Sequence, residues 1–325
     1  MPGSDKKGSP EDILVGGQAV IEGVMMRTPY AYAVAVRRAD GSMTVKKEPV
    51  RRLADVWKPL TWPVVRGFAV LLQSLVLGIR TLNFSFNAAV AHAEAKPDAA
   101  ATTPSGQTSR DSSWLPIALS MGAAAIVAIG IFILVPLYIT TWLKGYFAAV
   151  HNWVVFNLVD GVIRVVFFLS YILLISRMKD IKRVFQYHGA EHKVVYTWEA
   201  REELTVENAR KKSTLHPRCG TSFLLFVMVV SIVVFSIFKF QAFWAIFLSR
   251  VVLIPLISGL SYELIRFSAP RSRQGFFRLV VLPGLTLQRI TTKEPGDEQL
   301  EVAIRALQEA LALDSIKARE AQAAA

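Results

Sequence analysis

The chain has 325 residues, 53% of them hydrophobic, with a mean hydropathy of +0.38, which excludes an ordinary soluble enzyme and points to a lipid bilayer as partner. Its formal net charge is +12 and its pI about 9.9. No RNA- or DNA-binding signature accompanies that charge, so basic loops that hold membrane orientation account for it without a nucleic-acid partner. The single cysteine excludes an internal disulfide.

In chain order, residues 1–12 are rich in Gly, Ser, Pro and charge and read as a disordered tail without the apolar stretch of a signal peptide. Residues 13–60 read as a small cytoplasmic β-rich unit. Small and apolar residues alternate through 30–36, and Asp40-Gly41 supplies a hairpin turn. Residues 61–91 hold an amphipathic or membrane-associated helix: Arg66, Gln73, Arg80 and Asn87 recur every seven positions and draw a polar stripe along 64–90, which suits a helix in the interface or one that crosses the membrane with its stripe turned inward. Residues 92–113 read as a flexible linker. Residues 114–267 form a four-span membrane domain, with apolar runs at 115–142, 161–176, 223–238 and 243–267, the helix of the second run beginning a little earlier than 161. Residues 268–325 end in an amphipathic helix, with Leu300, Val302, Ala303, Leu307 and Leu311 near helical spacing. The expected fold is a polytopic α-helical membrane protein with about four transmembrane helices, one interfacial helix and a small cytoplasmic α+β layer.

Lys and Arg crowd residues 1–60, 177–220 and the segment after 267, whereas 143–160 holds only Lys144 and 239–242 only Lys239. Four crossings put all three basic regions on one side of the inner membrane, with both termini cytoplasmic. Within the spans, Arg164 and Arg250 have no obvious local partner, while Glu263 and Arg266 are spaced for an i,i+3 pair.

The chemistry concentrates in the loop 177–220. In "YHGAEHK", residues 187–193, His188 and His192 stand at i and i+4, on one face if the segment is helical. Glu191 lies beside the second histidine. The pattern H-x-x-E-H is that of inverted zincins, in which the histidines bind zinc and the glutamate is the base. "HPRC" adds His216 and Cys219, which together with the histidine pair can complete a zinc site. Four protein ligands make such a site closed and structural; three leave a position open for catalysis. A second dense motif, "GGQAVIEGVMMR" at 16–27, carries glycines for close backbone approach, with Val20, Val24 and Met26 as core. It is expected to pack against the histidine loop, with Glu22 meeting the metal or orienting a ligand histidine.

"GGQAVIEGVMMR", "YHGAEHKVVYTWE", "HPRCGTSF" and "LQRITTKEP" occur in this order. Together they resemble the bacterial YqhQ-like family of polytopic membrane proteins, a family of unknown function described as metal-dependent enzymes. The resemblance runs from about Val15 to the final helix. It implies a polytopic membrane protein and a metal cluster on His188, Glu191, His192, His216 and Cys219. Inverted zincins draw a further carboxylate ligand from downstream, whereas here His216 or Cys219 must serve.

Three classes of function are compatible with these residues. The leading one is a metal-dependent hydrolase on a lipid-linked or membrane substrate, with Glu191 catalytic. The others are a membrane scaffold with a structural metal site, and a small-solute or lipid transporter that uses Arg164 and Arg250.

Overall fold

The computed structural model describes residues 15–51, 56–90, 114–271 and 274–323. The tail expected at 1–12 and the linker expected at 92–113 lie outside them.

Four strands come first: β1 (Gly16–Val20), β2 (Gly23–Arg27), β3 (Ala31–Arg37) and β4 (Met43–Pro49). They form an antiparallel meander in sequence order, with Met26 opposite Ala33 and Ala33 opposite Lys47. The period-2 alternation of strand side chains sends Val24, Met26, Ala33 and Ala35 to one face and Met25, Tyr32, Val34 and Val36 to the other. Both faces of the central strands are covered, which explains why β2 and β3 read as continuous apolar runs.

The first face carries α5 (Lys179–Glu199) and α11 (Asp297–Ala323). Tyr187, Ala190 and Val194 of α5 and Leu300, Ala303, Leu307 and Ala310 of α11 close one core with the sheet. Leu311, read as part of the apolar face of α11, lies at its margin. The second face carries the C-terminal half of α1 (Val65–Val90), through Leu77, Phe84 and Ala88. The N-terminal half of α1 packs on α9 (Ile254–Ser268), where Arg66 forms an ion pair with Glu263. Glu263 therefore pairs across helices, not with Arg266 as the i,i+3 spacing suggests.

The remaining helices are long and apolar. A bundle is built from α2 (Trp114–Ile129) continuing into α3 (Val135–Lys144), α4 (Trp153–Ile175), α7 (Gly220–Ile237), and α8 (Phe243–Val252) with α9. The join between α2 and α3 is a widened turn over Gly130–Leu134, one residue ahead of Pro136, whose ring cannot fit a regular helix at that point. α4 begins at Trp153, ahead of the run at 161–176 as expected, capped by Asn152, whose side chain accepts from the N–H groups of Val154 and Val155. The run at 243–267 is not one helix. It bends by 47° at Leu253, just before Pro255. A short helix α6 (Val206–Arg210) and the helix α10 (Gly275–Thr291) complete the chain.

Among the described residues, four unbroken helices are long and apolar enough to cross a membrane: Val65–Ala89, Leu119–Lys144, Trp153–Ile175 and Gly220–Ile237, with the bent pair as a fifth candidate. The helix at 64–90, for which the sequence leaves an interfacial and a membrane-crossing placement open, thus meets the length and apolarity of a span.

Candidate metal centre

The histidine pair sits where α5 is most deeply packed. Tyr187, Gly189, Ala190, Glu191, His192 and Lys193 are all buried in a helix whose two ends are exposed. Two close contacts fix α5 in place. A Cβ on Gly189 would come within 2.1 Å of the Lys293 carbonyl oxygen, so the strap after α10 lies directly on the helix. A Cβ on Gly17 would come within 2.6 Å of Glu191 Cγ, so β1 lies over the carboxylate. Lys193 is buried, and its Nζ donates to the Arg210 carbonyl at 2.9 Å and to Glu294 Oε1 at 2.5 Å. It ties together the two segments that flank the histidines.

His188, His192 and Cys219 each offer one ligand atom, and the three lie within 4.8 Å of one another. His188 Nε2 is 3.2 Å from Cys219 Sγ. The opposite nitrogens are anchored: His188 Nδ1 is 2.8 Å from the Thr291 carbonyl oxygen and His192 Nδ1 is 2.5 Å from that of Thr214. A carbonyl only accepts, so each Nδ1 carries the proton and each Nε2 turns its lone pair to the cluster, that of His188 toward Cys219 Sγ. Histidines that bind metals have this outer hydrogen bond as a rule. Cys219 is the residue that caps the start of α7, and its Sγ is also 3.1 Å from Thr221 Oγ1. Two imidazole nitrogens and one sulfur are a donor set suited to zinc.

Glu191 Oε2 is 3.5 Å from His192 Nε2, beside the three converging atoms. His216 is adjacent, its ring 5.7 Å from that of His192. Its nitrogens are turned elsewhere: Nε2 lies 3.3 Å from Glu199 Oε1, and Nδ1 accepts from the Arg218 backbone N–H at 3.3 Å. Burial holds the His216 ring below the ordinary imidazole pKa, against an opposing pull from Glu191. His216 is held instead by Gln288, which accepts from its backbone N–H at 2.7 Å and donates to its carbonyl at 2.8 Å and to Ser222 Oγ at 2.8 Å. The structure brings together His188, His192, Cys219 and Glu191; His216 stands one step behind them.

Glu22 does meet the histidine helix but not the histidines. It sits in the β1–β2 turn at φ 53°, pairs with Arg183 and accepts from Tyr187 Oη at 3.3 Å. Burial and the neighbouring Glu22 carboxylate push the Tyr187 hydroxyl pKa well up. The contact of "GGQAVIEGVMMR" with the site is made by Gly17. The orienting partners of the histidines are two backbone carbonyls.

A cavity of about 470 Å³ opens beside the cluster, between β1, the middle of α5 and the start of α7, and it is lined by Glu191, His188, His192 and Cys219. A second, mostly apolar cavity of about 710 Å³ lies between α1, α7 and α9. The two share Ser74, Arg218, Cys219 and Gly220.

Residues 62–313 match the family described as "Protein of unknown function (DUF1385)". The chain belongs to that family. It is also 34% identical over 305 residues to the uncharacterised protein YqhQ of Bacillus subtilis (strain 168), a similarity that covers 93% of each chain. No solved structure matches the chain. The family match takes in α5, the Cys219 loop and α10, and so every residue of the cluster; β1, with Gly17, precedes it.

Proposed function

We propose that this protein is a metal-dependent hydrolase of the inner membrane that acts on an amphiphilic, lipid-linked substrate. His188, His192 and Cys219 are the zinc ligands and Glu191 is the general base. The observation that carries the reading is the convergence of the two Nε2 atoms and Sγ, with both outer nitrogens fixed on carbonyls and a carboxylate alongside. Three protein ligands leave a fourth tetrahedral position to substrate, the arrangement of catalytic and not of structural zinc sites. A zinc ion bound there would supply Lewis acidity to the bond being broken. Glu191 takes the proton from the attacking water; β1, held against it at Gly17, limits the directions its carboxylate can take.

The apolar cavity that joins the site at Cys219 supports a substrate with a hydrocarbon tail. Arg218 and Arg266 border it and suit an anionic headgroup. The distribution of Lys and Arg supports four crossings, by α2–α3, α4, α7 and α8–α9, with the sheet, α5, α11 and both termini on the cytoplasmic face. Under that arrangement α1 stays in the interface, which fits the packing of its C-terminal half on the sheet.

Metal analysis of detergent-purified protein tests the site. About one zinc per chain is expected in wild type, with loss in His192→Ala. Glu191→Gln should keep the metal and abolish release of water-soluble product from a labelled total lipid extract. A wild type without metal sinks the proposal. A Glu191→Gln variant as active as wild type removes the base, and an inactive wild type that retains zinc favours the structural-site reading.

A further inference from the structure

A second polar cluster lies inside the apolar bundle, away from the histidines. Arg164 on α4 and Arg250 on α8 are 8% and 1% exposed. Both approach one carboxylate, Asp160, whose Oδ2 is 2.9 Å from Arg164 Nη2 and 3.2 Å from Arg250 Nη2. Arg250 Nη2 also donates to Asn157 Oδ1 at 2.5 Å. Both guanidinium groups stack on the ring of Phe235 of α7, at 3.9 Å for Arg250 and 5.4 Å for Arg164. Two permanent positive charges thus share one negative charge in surroundings of low dielectric. Arg164 Nε and Arg250 Nε are buried without a hydrogen bond, as is Asp160 Oδ1.

Beside this cluster is a cavity of about 230 Å³. Both arginines line it, with Ser231 and Phe235, and its described lining includes no acidic side chain. Water could satisfy the free N–H groups but would leave the excess charge in place. A bound anion answers both. Arg164 lies eleven residues from either end of α4, about 16 Å along a helix that rises about 1.5 Å per residue. With α4 spanning the membrane, a headgroup at the surface does not reach that depth, so the ion is a free one.

We propose that the cavity between α4, α7 and α8–α9 is a binding site for a small inorganic anion of the size of chloride, held by Arg164 and Arg250. This site is independent of the metal centre and of the hydrolase reading.

The probe is chloride itself, followed by 35Cl line broadening on detergent-purified protein at constant ionic strength, with gluconate as the replacing anion. Wild type is expected to give a saturable component that bromide displaces. Arg164→Gln leaves Arg250, Asp160 and Asn157 as a balanced set and should fold; it is expected to lose the saturable component. Asp160→Asn removes the competing carboxylate and is expected to tighten binding. Ser231→Leu fills the cavity without touching an arginine and should also lose the component, so it decides the matter if the charge variants yield no protein. The absence of a saturable component in wild type overturns the proposal. So does a component that survives unchanged in Arg164→Gln or Ser231→Leu.

Discussion

Replacing Gly189 by Ala separates the demands of the α5 helix from those of its surroundings. Taken alone, the exchange favours the helix by about 1 kcal/mol, because Ala has far the better helix propensity. Here the new Cβ would stand 2.1 Å from the Lys293 carbonyl oxygen, so the strap must retreat by more than about 1 Å to reach an ordinary contact. That strap includes the Thr291 carbonyl, which anchors His188 Nδ1, and the Lys293 N–H, which donates to the Phe185 carbonyl at 2.9 Å. Overpacking of this kind costs about 1–3 kcal/mol. The net change is then a loss of up to about 2 kcal/mol, or a fall in Tm of up to about 3 °C for a chain of this length. Loosening an outer hydrogen bond of a metal-binding histidine lowers affinity about 10–100-fold. Scanning fluorimetry and zinc competition against a chelator of known affinity measure the two effects. A variant that is more stable than wild type and holds zinc as tightly would refute the argument, since propensity alone would then govern the position.

His188→Ala and Cys219→Ser are expected to lose zinc while His216→Ala keeps it, because the His216 nitrogens face Glu199 and the Arg218 N–H; equal loss in all three, read by metal analysis, would make His216 a fourth ligand. Glu22→Gln should leave metal content unchanged and cost less than about 1 kcal/mol, as expected for a half-exposed ion pair with Arg183; zinc loss in this variant would place Glu22 back at the site. Gln288→Leu strips three buried hydrogen bonds from the His216 backbone and Ser222, and is expected to cost about 1–3 kcal/mol in thermal stability, with the fall checked by calorimetry.

The centre of the candidate site was legible because its geometry is local. Four residues along one helix bring His188 beside His192, and only Cys219 had to arrive from elsewhere. The family was legible from four short motifs in order. The partners that orient the histidines were not. The Thr214 and Thr291 carbonyls are backbone atoms, which any residue type supplies, so no side-chain pattern announces them. Thr291 and Gln288 do lie in "LQRITTKEP", a motif quoted for its resemblance without a role. Glu22 drew attention as the lone carboxylate of its motif, yet the neighbour of the site is Gly17, whose contribution is the absence of a side chain. Asp160 escapes the pattern because it stands one residue ahead of the apolar run at 161–176, in the stretch by which the helix is expected to extend, and Arg164 and Arg250 are then left without their counter-charge. The break at Leu253 was marked by Pro255, but the run's length and hydropathy read as a single helix.

The core that seats α5 is shared between the first strands of the chain and its last helix. About 270 residues separate β2 from α11. At a synthesis rate of about 5–20 residues per second, the sheet waits roughly 15–50 s for the helix that closes its face. Thr291, whose carbonyl holds His188, leaves the ribosome in the same final stretch. All the apolar helices are therefore synthesised before the histidines can be locked in position. A chain cut short before α11 keeps every apolar helix yet exposes the Val24, Met26, Ala33 and Ala35 face to proteases. The C-terminal helix thus acts as a proofreading mark: only a fully translated copy can complete the core that seats the histidine helix.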